Sequence, residues 1–168
     1  MTSVYVIDTS YLLELFKVPG KHANDASETI KQRFELAYES SARLYVTPPT
    51  LFELANHIAN IPDGNIRREQ AIFLSRAIRN SVNDGIPWVF SPSTENDVLL
   101  SLGEFLELCD EFGDELTQQG FGLTDISVIS QSVKLKAKYL SMGMRVHIWT
   151  RDKTLKAREP DVEEDAFV

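Results

Sequence analysis

Four acidic residues stand where chain chemistry would put them to use together: Asp8, Glu53, Asp125 and Asp152. Asp8 directly follows the apolar run Val4-Tyr5-Val6-Ile7, and Asp152 closely follows Val146-His147-Ile148-Trp149-Thr150. An acid placed straight after a buried strand is costly unless something compensates its charge. Carboxylates gathered at one place repel one another, and each favours protonation of the next unless a cation neutralises them. A hard divalent ion such as Mg²⁺ or Mn²⁺ does this with oxygen ligands and retained waters. The chemistry in view is therefore metal-assisted work on a phosphoryl group.

The elements that must position these residues follow from periodicity and punctuation. Residues 3–7, 44–46, 88–90 and 145–149 are short, β-branched or aromatic runs, which predict buried strands. Helical spacing predicts helices from Thr9 or Ser10 to about Lys17, over 25–40, from Pro48 to about Ile61, and over 65–83. In the last of these, Ile66, Phe73, Leu74, Ala77, Ile78 and Val82 are expected to face inward. Further helices are expected from Thr94 to Phe112, from Thr124 to Leu140 and around 153–158, with a polar loop from Gly113 to Gly122. Strands alternating with helices predict an α/β fold, three-layer α/β/α, around a mostly parallel sheet of four or five strands. In such a sheet the carboxyl edge of the strands is where ligands bind. Asp8 and Asp152 leave strands at that edge, while Glu53 and Asp125 lie early in helices that begin there, so all four are expected to meet.

Each acid also has a simpler role open to it. Asp125 can stabilise a helix N-terminus, Asp152 can cap the short helix after it, and Glu53 can be a solvated helix residue. Asp97, in Thr94-x-x-Asp97, fits a capping box and is assigned a structural role. Glu53 and His57 are four residues apart and can share a helix face. His147 and Cys109 are expected to pack rather than react, and Trp88 and Trp149 to be strand core.

Composition bounds the rest. The chain has 168 residues, 43% hydrophobic and 25% charged, which fits one globular domain over 1–158 and an acidic tail over 159–168 that is expected to fray. A single cysteine excludes an internal disulfide and fits a reducing cytoplasm. No stretch has the pattern of a secretory leader or the length of a membrane span, so no membrane partner is expected. The formal net charge of −8 argues against non-specific nucleic-acid binding. The charge is uneven, however: residues 91–125 hold nine Asp and Glu with no Lys or Arg, whereas 134–158 hold eight Lys and Arg with only Asp152 acidic. The second segment could form a basic rim beside the carboxylates.

The segments Val-Tyr-Val-Ile-Asp8-Thr9-Ser10, Thr-Leu-Phe-Glu53-Leu, Gly-Leu-Thr-Asp125-Ile-Ser-Val-Ile and Trp-Thr150-Arg-Asp152-Lys-x-Leu resemble, in order and type, those of the PIN domain family. The resemblance runs along almost the whole chain. It implies a metal-dependent endoribonuclease that hydrolyses phosphodiester bonds of single-stranded RNA, with Asp8, Glu53, Asp125 and Asp152 as the catalytic and metal-holding set. Ser10 and Thr150 would support that site. Apart from the resemblance, Arg151 and Lys153 flank Asp152 and are either substrate-phosphate contacts or simply exposed cations. Mg²⁺ or Mn²⁺ would be the cofactor. Many members of the VapC-like branch are toxins silenced by an antitoxin protein, and homodimers occur among them. The chain is longer than the compact toxins and more acidic. The alternative is a PIN-like module of weak catalytic power that binds RNA or a protein partner. A haloacid-dehalogenase phosphatase fits less well, because Ser10 stands where that chemistry needs a second aspartate.

Overall fold

The computed structural model describes residues 3–91 and 102–168. The predicted helix start at Thr94 and the Asp97 cap lie outside the described residues. Four strands, β1 (Ser3–Ile7), β2 (Arg43–Val46), β3 (Val89–Phe90) and β4 (Arg145–Trp149), form an all-parallel sheet in the order β3-β2-β1-β4. Helices α1 (Thr9–Leu15), α2 (Asn24–Glu39), α3 (Pro48–Ala59) and α4 (Gly64–Asp84) lie between the first three strands. Helices α5 (Leu102–Glu111) and α6 (Leu123–Tyr139) precede β4, and α7 (Lys153–Lys156) follows it. None of the described helices is long and apolar enough to cross a membrane.

Alternation along the strands explains the three layers. Successive side chains point to opposite faces of a sheet. Ile7, Leu44, Val46 and Trp149 therefore join a core with Leu12, Phe34, Leu54 and Leu74 from α1–α4. Val4, Val6, Tyr45, Val146 and Ile148 join a second core with Ile126 and Val128 of α6 and Leu155 of α7. The predicted α/β/α architecture is thus present.

The chain travels from β1 outward through β2 to β3, then returns past β1 to place β4 on its other side. The direction of winding reverses there, and the helices change face with it. The crevice between the carboxyl ends of β1 and β4 is consequently the topological switch point, where such sheets bind ligands.

Three elements differ from the expectations. In α4 the buried residues are Leu74, Ala77 and Ser81, while Ile66, Phe73 and Val82 are exposed. This helix packs chiefly on α3, with a smaller contact to β3, so only a narrow stripe is covered. The segment expected as a loop from Gly113 opens instead within a π-helical turn over Phe112–Leu116. Finally, the acidic tail is bound along β4 rather than frayed. Val146 N donates to Asp161 Oδ2 at 2.7 Å and Ile148 N to Glu159 Oε2 at 3.2 Å, so carboxylates occupy the ladder positions of an edge strand. Lys156, nearly buried, joins Glu159 and Glu163 at 2.6 Å each.

Candidate active site at the carboxyl edge

The strand register lines up one residue from each strand just beyond the sheet. Ile7 pairs with Val46 and with Trp149, and Val46 pairs with Phe90. The residues that follow are Asp8, Thr47, Thr150 and Ser91, and all four are buried. The ladder continues into this row, since Asp8 N donates to Trp149 O at 2.9 Å and Ser91 N to Val46 O at 3.0 Å. A polar row with one carboxylate therefore runs across the edge.

Asp8 is held tightly. It caps α1, accepting from Ser10 N at 3.2 Å, and its Oδ2 also accepts from Ser10 Oγ at 2.6 Å and Thr150 Oγ1 at 2.9 Å. Each hydroxyl has one proton to give and lone pairs to spare. Both protons go to Asp8, and the lone pairs accept from the next loop: Arg151 N to Ser10 Oγ at 2.8 Å, Asp152 N to Thr150 Oγ1 at 3.0 Å. Even so, burial pushes the Asp8 carboxyl above its ordinary value, outweighing the hydrogen bonds from Ser10 and Thr150.

The other three acids reach the same end from separate elements. Asp125 sits in the first turn of α6 and accepts from Gly122 N at 2.8 Å. That helix is docked onto the edge row one turn on: Thr47 Oγ1 and Ser127 Oγ lie 2.8 Å apart, and Ser91 Oγ donates to Gln131 Oε1 at 2.9 Å. Asp125 is also held above the ordinary carboxylate range. Desolvation is the largest cause, opposed by the Gly122 N–H and reinforced by the charges of Asp8, Glu53 and Asp152. Glu53 projects from α3, where Pro48 and Pro49 open the helix, and its Oε2 accepts from Thr9 Oγ1 at 3.1 Å. Its Oε1 lies 4.0 Å from His57 Nε2, the expected same-face pair. Asp152 is exposed and caps α7, accepting at Oδ1 from Thr154 N at 2.7 Å and Leu155 N at 3.2 Å.

Capping and convergence are therefore compatible: Asp125 and Asp152 cap helices and still face the same end as Asp8. Among the described residues, none of the four pairs with a Lys or Arg. Nor do any three described His, Cys, Asp or Glu side chains stand close enough to ligate one ion together. An ion that keeps most of its water needs only one or two carboxylates, so the hard oxygen donors here fit Mg²⁺ or Mn²⁺ in that mode.

The cations assigned beside Asp152 part company. Lys153 is exposed, whereas Arg151 donates from Nη1 to Glu14 Oε1 at 3.2 Å and lies under the Phe167 ring. The expected basic rim is likewise largely consumed within the fold: Lys134 faces Glu107, Lys136 faces Asp161, Arg145 faces Glu164, and Lys156 faces Glu159 and Glu163. Sequence reasoning missed Thr47, Ser127, Gln131 and the buried Glu14, each of which positions a site element. Only the register of Thr47 with Asp8, one residue past a strand, carried a signal.

No protein-family model matches the chain, and no curated protein matches it in sequence. What the site can do follows from its own chemistry.

Proposed function

We propose that the chain is a metal-dependent nuclease of the PIN class that hydrolyses single-stranded RNA. The observation that carries this is the buried, hydroxyl-braced Asp8 at the switch point, whose charge reaches Asp125 together with those of Glu53 and Asp152, with no Lys or Arg among the described residues paired to any of the four. Burial of the Asp8 and Asp125 carboxylates without a paired cation is costly to the fold, and a bound cation would offset that cost.

Asp8 and Asp152 would hold a Mg²⁺ or Mn²⁺ ion directly, with Asp125 and Glu53 reaching it through water. When bound, the ion supplies charge neutralisation for the carboxylates and for a phosphate brought beside them. Ser10 and Thr150 keep the Asp8 carboxylate in one orientation. Glu53, on the accessible side, is suited to orient a water and to accept its proton during in-line attack on phosphorus. The products would carry a 5′-phosphate and a 3′-hydroxyl. Lys153 would meet a substrate phosphate, while Arg151 serves the loop instead.

The test is cleavage of labelled single-stranded RNA in Mg²⁺, Mn²⁺ or EDTA, wild type against Asp8→Asn. Metal-dependent cutting that falls at least about a hundredfold in the variant is expected. Folded wild type that cuts none of several unrelated RNAs with either metal would leave the non-catalytic binding module as the better account. A toxin role and a cytoplasmic setting are narrower forms of the proposal. They predict growth arrest on expression, relieved by Asp8→Asn.

A further inference from the structure

The loop Thr150–Asp152 joins β4 to α7 and carries two site residues. Its middle residue is gripped from outside the site. Arg151 Nη1 donates to Glu14, and the guanidinium carbon lies 4.8 Å from the centre of the Phe167 ring. Both grips are themselves fixed. Glu14 is buried in α1, and its Oε2 accepts from Ala23 N at 3.0 Å and Ser27 Oγ at 2.9 Å. The Phe167 carbonyl accepts from Tyr11 Oη at 2.7 Å, and Tyr11 stacks on Trp149, the last residue of β4. From Arg151 the connection runs inward through its own amide to Ser10 Oγ and on to Asp8.

We propose that Glu14, Arg151 and Phe167 form a clamp that sets the β4–α7 loop where Asp8 and Asp152 can serve one cation. Phe167 is a positioning residue that acts through Arg151. The clamp rests on the metal-site assignment above for its purpose. Its geometry explains why Arg151 is not spent on substrate: withdrawing it would strand the buried Glu14 carboxylate without its only described cation. A planar guanidinium suits the position because it can bond Glu14 at its edge while its face meets the Phe167 ring, which an ammonium does less well. The segment after Glu159 thereby becomes part of the active-site architecture, although none of its residues lies among the four acids.

The experiment compares wild type, Phe167→Ala and Phe167→Tyr by amide hydrogen exchange and by calorimetric titration with Mn²⁺. In Phe167→Ala the amides of Arg151 and Asp152 are expected to exchange about tenfold faster. Mn²⁺ binding is expected to weaken about tenfold. Strand β1 amides should be unaffected, and Phe167→Tyr should restore both values. Unchanged exchange and unchanged Mn²⁺ affinity in Phe167→Ala would overturn the clamp. If that variant does not fold, Tyr11→Phe replaces it with the same two readouts, since it removes only the hydroxyl that anchors the Phe167 carbonyl. Wild type that binds no Mn²⁺ sinks the metal assignment and the clamp's purpose together. Wild type that binds it beside an unaffected variant sinks the clamp alone.

Discussion

At the scale of single residues, Asp8 sets function against stability. Its carboxyl is raised from the ordinary 3.8 because burial disfavours the charge more than Ser10 and Thr150 support it. The native state thus holds the Asp8 proton more tightly than the unfolded chain does. Asp8 contributes its full stability below the ordinary value, and that contribution is lost as pH rises through its raised value. Asparagine keeps the acceptor for Ser10 and Thr150 without the charge. Asp8→Asn is therefore expected to melt about 2–5 °C above wild type at neutral pH without metal. The gap should close as pH falls below the ordinary carboxylate range. Added Mn²⁺ should raise the melting temperature of wild type, since a ligand of the native state stabilises it, and should do little for the variant. Equal melting of the two proteins at neutral pH would mean that the Asp8 charge is not a burden to the fold. The same residue shows what sequence could reveal. An acid after an apolar run stands out, whereas Thr47, Ser127 and Glu14 do not, because Ser, Thr and Glu are ordinary in caps and helices. Their roles depend on partners such as Arg151, 137 residues from Glu14, that only the fold brings near.

At the scale of elements, the strands and most helices were legible because apolar runs and Gly or Pro stops are local signals. The failures are nonlocal. The α4 face was misjudged because periodicity does not tell how wide a stripe the neighbouring helix covers. The tail looked unstructured because its acids find partners in β4, α2 and α6: Glu159 with Ile148 N, Glu163 with Arg33, Asp161 with Val146 N and Lys136. Those contacts make the tail a cover for an edge strand that would otherwise offer free N–H groups to another chain. Desolvation acts to raise both Glu159 and Asp161, yet both lie below their ordinary values. The His147 ring and Lys156 hold Glu159 down, and Lys136 and the Val146 N–H hold Asp161 down. Their contribution is present above the ordinary carboxylate range and is lost as pH falls through the lowered values. Asp161→Ala is expected to cost about 2 kcal/mol and to lower the melting temperature by about 4–8 °C. The loss should narrow in acid, and light scattering should report association through the bared edge of β4. A variant as stable and as monodisperse as wild type would show that the tail is decoration.

At the scale of the whole molecule, a polyanionic substrate must approach a protein of net charge −8. The basic segment that could have drawn it in is mostly paired internally, which leaves Lys153 as the exposed cation beside Asp152. Elsewhere Arg68, Arg76 and Arg79 on α4 stand exposed, without a carboxylate partner among the described residues. Two fields therefore compete over an incoming RNA: broad repulsion from the molecule and local attraction at a few cations. Salt screens the broad field first, because its charges are exposed and distant. For a short RNA at fixed divalent metal, kcat/KM is expected to stay level or to rise as monovalent salt goes from low to about 0.15 M. Proteins whose affinity comes from many phosphate contacts behave in the opposite sense, losing binding steeply over the same range. A steep fall here would place the encounter on local cations, and charge reversal at Arg76 and Arg79 against reversal at Lys153 would then tell which end of the molecule receives the RNA. A level or rising profile would mean that the carboxylate-held ion, rather than the protein's own cations, supplies most of the attraction for phosphate, as a site built almost wholly of acids requires.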